Sequence, residues 1–179
     1  MGLNICRVNT IETDNYRFIE KLLTEAFPTE EYRELADFRF LTMYESRFHN
    51  NLIFDDGVPV GFITYWDMDQ FCYVEHFAIL PGMRSRGYGC EVLEYLKTRI
   101  NGSIVLEVEL PVEEAAKRRV AFYQRQGFQL WQRAYLQPPY RLGGCFFPLF
   151  LMAYGPLDET TDFDRVRGLI YRVVYNYKE

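Results

Sequence analysis

The segment ILPGMRSRGYGCEVLEYL, residues 79–96, joins a predicted strand to a predicted helix through a loop that contains two glycines. The apolar residues after the loop recur at helical spacing, as in an amphipathic helix. Backbone N–H groups at the start of such a helix point toward one spot, where the helix dipole is positive. The segment therefore predicts an anion-binding loop, suited in particular to a pyrophosphate.

Four residues of the loop favour a phosphate ligand. Gly87 and Gly89 have no Cβ atom, so phosphate oxygens can approach the backbone closely, and Arg84 and Arg86 add positive charge. A Walker loop needs a Lys-Ser/Thr pair where this chain has Cys90-Glu91, and the GxGxxG spacing of a Rossmann loop is absent. The structural alternative is an ordinary loop that caps a helix.

The remaining elements follow from periodicity and from turn residues. The sequence predicts strands at 3–8, 51–55, 60–66, 71–79, 104–110, 128–136 and 145–154. It predicts helices at about 14–26, 29–47, 87–100, 112–126 and 162–177.

The order of these elements predicts a mixed α/β fold. The hairpin signal Asp56-Gly57 and the polar turn at 67–69 connect three strands into an antiparallel meander. The strand at 104–110 follows a strand and a crossover helix, so we expect it to run parallel to the strand ending at Ile79. We expect one domain over residues 1–179, with a central mixed sheet of about seven strands, flanking helices and a C-terminal helix at about 160–177.

Composition excludes several classes of function. With 179 residues and a net charge of −5, the chain repels phosphate backbones, so we expect no nucleic-acid partner, whereas cationic amines are weakly attracted. No signal peptide or membrane span is predicted, so we expect a cytoplasmic protein without a membrane partner. No metal site is expected. The four cysteines (Cys6, Cys72, Cys90 and Cys145) are expected to be buried, reduced thiols.

Two segments in register resemble a known family. PGMRSRGYG, residues 81–89, is similar to the acetyl-CoA loop of the GCN5-related N-acetyltransferases (GNAT), and AFYQRQGF, residues 121–128, is similar to their second signature. LEVELP, AKRRVAFY and QPPY further resemble a bacterial subgroup of mostly unassigned substrate. The resemblance covers residues 3–154 and leaves out the tail after Gly155.

The resemblance implies an acetyltransferase that uses acetyl-CoA as co-substrate and an amine of a small molecule or peptide as acceptor. It implies that a backbone N–H near Phe77 or Ala78 bonds the thioester carbonyl. The implied cofactor-binding residues are Phe77, Ala78, Ile79, Arg84, Ser85, Arg86, Gly87, Tyr88, Gly89 and Cys90. The sequence has Ala116 and Arg119 where family members often have Asn and Ala; Arg119 either holds a phosphate of CoA or is a surface charge.

The chemistry of amine acetylation points to a base and an acid. An alkylamine with a pKa of about 10.4 costs about 4.6 kcal/mol to deprotonate at pH 7. Glu75 is the candidate base, because strand alternation places it on the face of Phe77 and burial would raise its pKa. His76 and Cys72 point to the other face, so His76 is expected to be structural and an acyl-cysteine intermediate is not expected.

Tyr123 is the candidate acid, because a phenol can protonate the departing CoA thiolate. Its structural alternative is a core aromatic residue. Glu107 and Glu109 either shape the acceptor pocket or belong to a solvated face, and Gln137-Pro138-Pro139-Tyr140 is either a substrate-selecting loop or a rigid turn.

Two other functions remain open. A sensor of the same fold would bind acyl-CoA without catalysis, and a related enzyme would transfer a longer acyl chain or acylate a hydroxyl. The amphipathic tail either packs on the body of a monomer or joins two copies in a homodimer.

Overall fold

The computed structural model describes residues 2–100 and 102–178. These residues form two compact units. The first unit contains the chain through Asp67 and returns for Val74–Arg99, and the second contains Met68–Tyr73 and the chain from Ile100 onward. The expectation of a single domain stays a prediction, as does the parallel alignment of the 104–110 strand.

The first unit holds four strands and three helices. The strands are β1 (Leu3–Arg7), β2 (Phe48–Asp55), β3 (Val58–Asp67) and β4 (Phe71–Ile79, in this unit from Val74). They neighbour one another in the order β1-β2-β3-β4, with β1, β2 and β3 antiparallel. The helices are α1 (Asp14–Ala26), α2 (Leu35–Tyr44) and α3 (Tyr88–Arg99).

The turn between β2 and β3 confirms the hairpin signal. Asp56 and Gly57 both have positive φ, 45° and 79°, which is the backbone conformation of a two-residue hairpin turn. Helix α1 is capped by Thr13, whose side chain accepts a hydrogen bond from the N–H of Tyr16. Its buried residues Ile19, Leu22 and Leu23 recur at the spacing of one face of an amphipathic helix.

The prediction of one continuous helix at 29–47 is wrong. A single 3-10 turn spans Thr29–Glu31, the chain is extended at Tyr32, and α2 starts only at Leu35. The break coincides with two buried side chains, since Tyr32 and Arg33 are each only 8% exposed.

The second unit contains β5 (Ser103–Glu109), α4 (Glu114–Arg125), β6 (Gln129–Leu130), β7 (Tyr135–Gln137), β8 (Phe147–Tyr154) and α5 (Glu159–Val173). Strand β8 pairs antiparallel with β5, β6 and β7. The predicted strand at 128–136 is therefore two short strands, which makes eight strands in the described residues rather than about seven. Between them Trp131 turns inward and is 1% exposed.

The C-terminal helix is confirmed, with a different end. The side chain of Asp158 caps α5 by accepting from the N–H of Thr160 at 2.8 Å. Phe163, Val166 and Ile170 are buried at helical spacing, as predicted. The helix ends at Val173, and the segment after it returns to the body, where the N–H of Tyr177 donates to a backbone carbonyl of α5.

Within residues 2–100 and 102–178, no helix is both long and apolar enough to cross a bilayer.

The burial of the cysteines differs in part from expectation. Cys72 is buried, but Cys90 and Cys145 are exposed, and none of the four forms a disulfide.

Candidate active site

The loop before α3 has the backbone conformation that an anion-binding loop requires. Ser85 and Gly87 have positive φ values of 63° and 93°. Alternating left-handed and right-handed residues turn successive N–H groups toward one point, and the first N–H groups of α3 have no partner inside the helix. A Cβ on Gly87 would meet only the Glu91 carboxylate, at 3.8 Å, so φ rather than space favours glycine there.

The loop carries two exposed arginines and one buried tyrosine. Arg84 and Arg86 are exposed, and Nε of Arg84 donates to the carbonyl of Ile79 at 3.1 Å. Tyr88 is buried and donates its hydroxyl to Asp55 on β2 at 2.5 Å. The N–H of Cys90 donates to the carbonyl of Gly87, which closes the first turn. The tyrosine therefore fixes the loop on the first unit, and the two arginines supply positive charge at its surface.

The end of β4 lies directly against β3. A Cβ on Gly61 would stand 2.4 Å from the carbonyl oxygen of Ala78 and 2.7 Å from Cδ1 of Ile79. Glycine in β3 thus allows the close approach of the segment Phe77–Ile79, which the resemblance assigns to the cofactor arm. Ala78 is buried, while Phe77 and Ile79 are partly exposed.

Glu75 lies on β4 with its side chain fully buried. One carboxylate oxygen forms a short ion pair with Arg33, whose own side chain is 10% exposed. The other oxygen accepts from the indole N–H of Trp66 at 2.8 Å. Both oxygens of the predicted base are therefore engaged within the first unit.

The pKa of Glu75 departs from the sequence-based expectation. Burial by itself raises the pKa of this carboxyl, but the charge of Arg33 and the hydrogen bonds from Trp66 and Arg33 outweigh burial. The pKa of Glu75 is therefore held below its ordinary value, and the carboxylate stays ionised at neutral pH.

His76 has structural partners, as expected. Its ring nitrogens face the carbonyl of Glu31 at 2.8 Å and the hydroxyl of Thr64 at 3.4 Å, and the side chain is 2% exposed. Burial is the largest cause that lowers the pKa of His76, so the neutral ring is favoured.

Tyr123 lies on α4 in the second unit, between the rings of Phe122 and Phe128. Burial raises its pKa to about 12, with a smaller opposing effect from the charge of Arg119. Its hydroxyl makes no hydrogen bond to any residue in the described part of the second unit. A protonated phenol without an internal acceptor is suited to donate its proton to a ligand atom.

Arg119 forms a short ion pair with Glu109, and both side chains are about half exposed. This pair gives Arg119 a protein partner, which favours its interpretation as a surface charge over a phosphate contact.

The sequence left Glu107 between two interpretations, an acceptor pocket and a solvated face. Its carboxylate is half-buried on β5 and accepts hydrogen bonds from Tyr135, from Gln137 at 2.5 Å and from Tyr175 at 2.9 Å. Burial raises the pKa of Glu107, and these neutral donors only partly offset that rise. One signal was available: a glutamate between apolar residues of a buried strand needs a polar partner.

No group of side chains in residues 2–100 and 102–178 has the composition of a metal site.

The family of the chain follows from its similarity to known proteins. The profile of the acetyltransferase (GNAT) family matches residues 10–128. A search of curated proteins finds no match.

Solved structures give close and distant neighbours. A GNAT-family acetyltransferase from Bacteroides thetaiotaomicron is 51% identical, with a TM-score of 0.94, over 98% of this chain and 99% of that one. An aminoglycoside 6'-N-acetyltransferase complexed with coenzyme A has a TM-score of 0.62 at 16% identity, over 87% of this chain and 99% of that one.

A GNAT acetyltransferase from Elizabethkingia anophelis with acetyl-CoA bound has a TM-score of 0.55 at 14% identity, over 86% of this chain and 98% of that one. These two distant likenesses show the fold alone. The family profile and the 51% identical neighbour go further: this chain belongs to the GNAT acetyltransferase family and is an acyltransferase.

Proposed function

We propose that this protein is an N-acetyltransferase that passes the acetyl group of acetyl-CoA directly to a primary amine of a small molecule or peptide. The observation that carries the proposal is the loop before α3. Ser85 and Gly87 have left-handed backbone there, and the side chains of Arg84 and Arg86 are exposed. Such a loop offers backbone N–H groups and positive charge to the pyrophosphate of the coenzyme.

The reaction needs one bond to form and one to break. The amine nitrogen bonds to the carbonyl carbon of the thioester, and the electron pair of the C–S bond leaves on sulfur. A backbone N–H at Phe77 or Ala78 stabilises the negative charge that develops on the carbonyl oxygen. Tyr123 donates its phenolic proton to the sulfur and is later reprotonated from solvent.

A carboxylate must accept the proton that the amine loses. Glu75 is the sequence-based assignment, but its closed ion pair with Arg33 makes it a weak base. We assign Glu107 as the alternative base, supported by its raised pKa and by its hydrogen bonds from the neutral groups of Tyr135, Gln137 and Tyr175. A carboxyl with a raised pKa is the better general base near neutral pH.

Calorimetric titration with acetyl-CoA tests the loop. Gly87→Glu and Arg84→Glu should weaken binding by at least tenfold, because each places a carboxylate near the pyrophosphate. Arg17→Glu is the control, since Arg17 is an exposed residue of α1. Unchanged affinity in both loop variants would refute this assignment.

Thiol release from acetyl-CoA, measured with spermidine, lysine and a tripeptide with a free amino terminus, tests catalysis. Amine-dependent release in the wild-type protein, strongly reduced in Tyr123→Phe, is the expected result. Binding of acetyl-CoA without release by any amine would instead support the sensor function. A parallel assay with butyryl-CoA tests whether a longer acyl chain is transferred.

A further inference from the structure

The segment that follows α5 returns to the carboxylate on β5. The hydroxyl of Tyr175 donates to Oε2 of Glu107 at 2.9 Å. The same hydroxyl oxygen accepts from the side-chain amide of Gln137 at 2.8 Å, and that amide also donates to Oε2 at 2.5 Å. Tyr175, Gln137 and Glu107 thus form a closed triangle of hydrogen bonds inside the second unit.

The chemistry of the three groups fixes the direction of every bond in the triangle. An ionised carboxylate only accepts, so Gln137 must present its NH₂ group and Tyr175 its O–H. The single proton of Tyr175 is then committed to Glu107. Two donors on Oε2, the amide of Gln137 and the hydroxyl of Tyr175, therefore hold the carboxylate in one orientation.

The surroundings of Glu107 are polar but uncharged. Its donors are Tyr135 and Gln137 of β7, Tyr175 of the C-terminal segment and Tyr73 of β4. The ring of Tyr140 contacts that of Tyr175 at a tilted angle of 52°, with ring centroids 4.9 Å apart. No lysine, arginine or histidine of the described second unit pairs with the carboxylate, so orientation depends on neutral hydrogen bonds alone.

Three of these donors lie outside the segment that matches the family profile. The profile ends at residue 128, whereas Tyr135, Gln137 and Tyr175 lie beyond it. Without the C-terminal segment, Oε2 would lose one of its two donors and the amide of Gln137 would lose one of its two acceptors. Helix α5 thus does more than cover the core, because the segment that follows it places Tyr175 beside Glu107.

We propose that Tyr175 is a positioning residue, which holds the Glu107 carboxylate in the orientation that accepts a proton from the acceptor amine. This inference rests on the proposed function. The proton leaves the ammonium nitrogen, binds a carboxylate oxygen of Glu107 and is afterwards released to solvent. Tyr175 itself neither gains nor loses a proton.

Carboxyl-carbon NMR of the full chain tests the contact without an acceptor. The Glu107 signal is assigned by its disappearance in Glu107→Gln. Tyr175→Phe removes a hydrogen bond that favours the ionised form, so Glu107 should titrate at higher pH than in the wild-type protein. Tyr177→Phe is the matched control, because Tyr177 lies in the same segment and contacts the rings of Phe146 and Tyr171. Identical titration curves in Tyr175→Phe and Tyr177→Phe would overturn the proposal.

The pH profile of amine-dependent thiol release is the second readout. In Tyr175→Phe the acidic limb of kcat/KM should move to higher pH and kcat should fall by about tenfold, with acetyl-CoA affinity unchanged. A purely structural role would lower the melting temperature and leave the limb in place. Absence of release in the wild-type protein refutes the proposed function, whereas release with an unmoved limb in Tyr175→Phe refutes only the role of Tyr175.

Discussion

Replacement of Arg33 by methionine should cost more stability than any ordinary surface substitution. Methionine keeps most of the aliphatic volume but removes the cation from an ion pair whose side chains are 10% and 0% exposed. A buried carboxylate left without its cation typically costs about 3–5 kcal/mol. The hydrogen bond from Trp66 to Glu75 at 2.8 Å remains, so the free energy of unfolding should fall by about 3 kcal/mol, the lower end of that range.

The effect should depend on pH in a defined direction. Because the folded pKa of Glu75 is depressed, its contribution to stability is present above the unfolded pKa and is lost as pH falls through the folded pKa. In Arg33→Met the carboxyl is buried without a cation, which raises its folded pKa, so the variant gains stability as pH falls toward the unfolded pKa of about 4.3. The difference in free energy of unfolding between the wild-type protein and the variant should therefore be large at pH 7 and smaller at pH 4.

Urea denaturation at pH 7 and pH 4, followed by tryptophan fluorescence, measures both quantities. Arg39→Met is the control, because Arg39 forms an ion pair with Glu20 in the same unit but is 44% exposed. Addition of Glu75→Gln to Arg33→Met should recover part of the loss, since no charge then stays buried. A loss equal to that of the Arg39 variant, or equal at the two pH values, would refute the reasoning.

Two further predictions concern β3 and the proposed acid. Gly61→Ala should lower the free energy of unfolding by about 1–3 kcal/mol, because its Cβ would overlap the backbone of β4, whereas Gly82→Ala, with nothing within 4 Å, should be nearly neutral in the same denaturation assay. Tyr123→Phe should lower kcat for thiol release by about 10²–10⁴-fold with unchanged acetyl-CoA affinity, and an unchanged kcat would remove Tyr123 from the mechanism. Since the pKa of Tyr123 is about 12, its ionisation should cause no loss of wild-type activity well below that pH.

Local interactions explain which parts of the sequence interpretation succeeded. The hairpin at Asp56-Gly57 depends on residues a few positions apart, so its signal is complete in a short window. The strand-to-helix loop at Gly87 belongs to the same class, because glycine permits its left-handed backbone and a helix starts directly after it. The family followed from two segments in register.

Burial and long-range partners explain what the sequence could not supply. The break before α2 coincides with the burial of Arg33, which reaches a carboxylate 42 positions away, and no local pattern signals that pairing. The same contact reverses the expected pKa shift of Glu75. Periodicity placed Glu107 on a strand face, but it could not show that Tyr175, 68 positions later, would donate a hydrogen bond to it.

The order of strands and helices, the glycine loop before α3 and the GNAT family were thus contained in the sequence itself, because backbone preferences and turn residues act over neighbouring positions. The basicity of each carboxylate was decided only by the tertiary structure. A pKa depends on the charges, donors and solvent within a few ångströms, and folding draws those neighbours from distant parts of the chain.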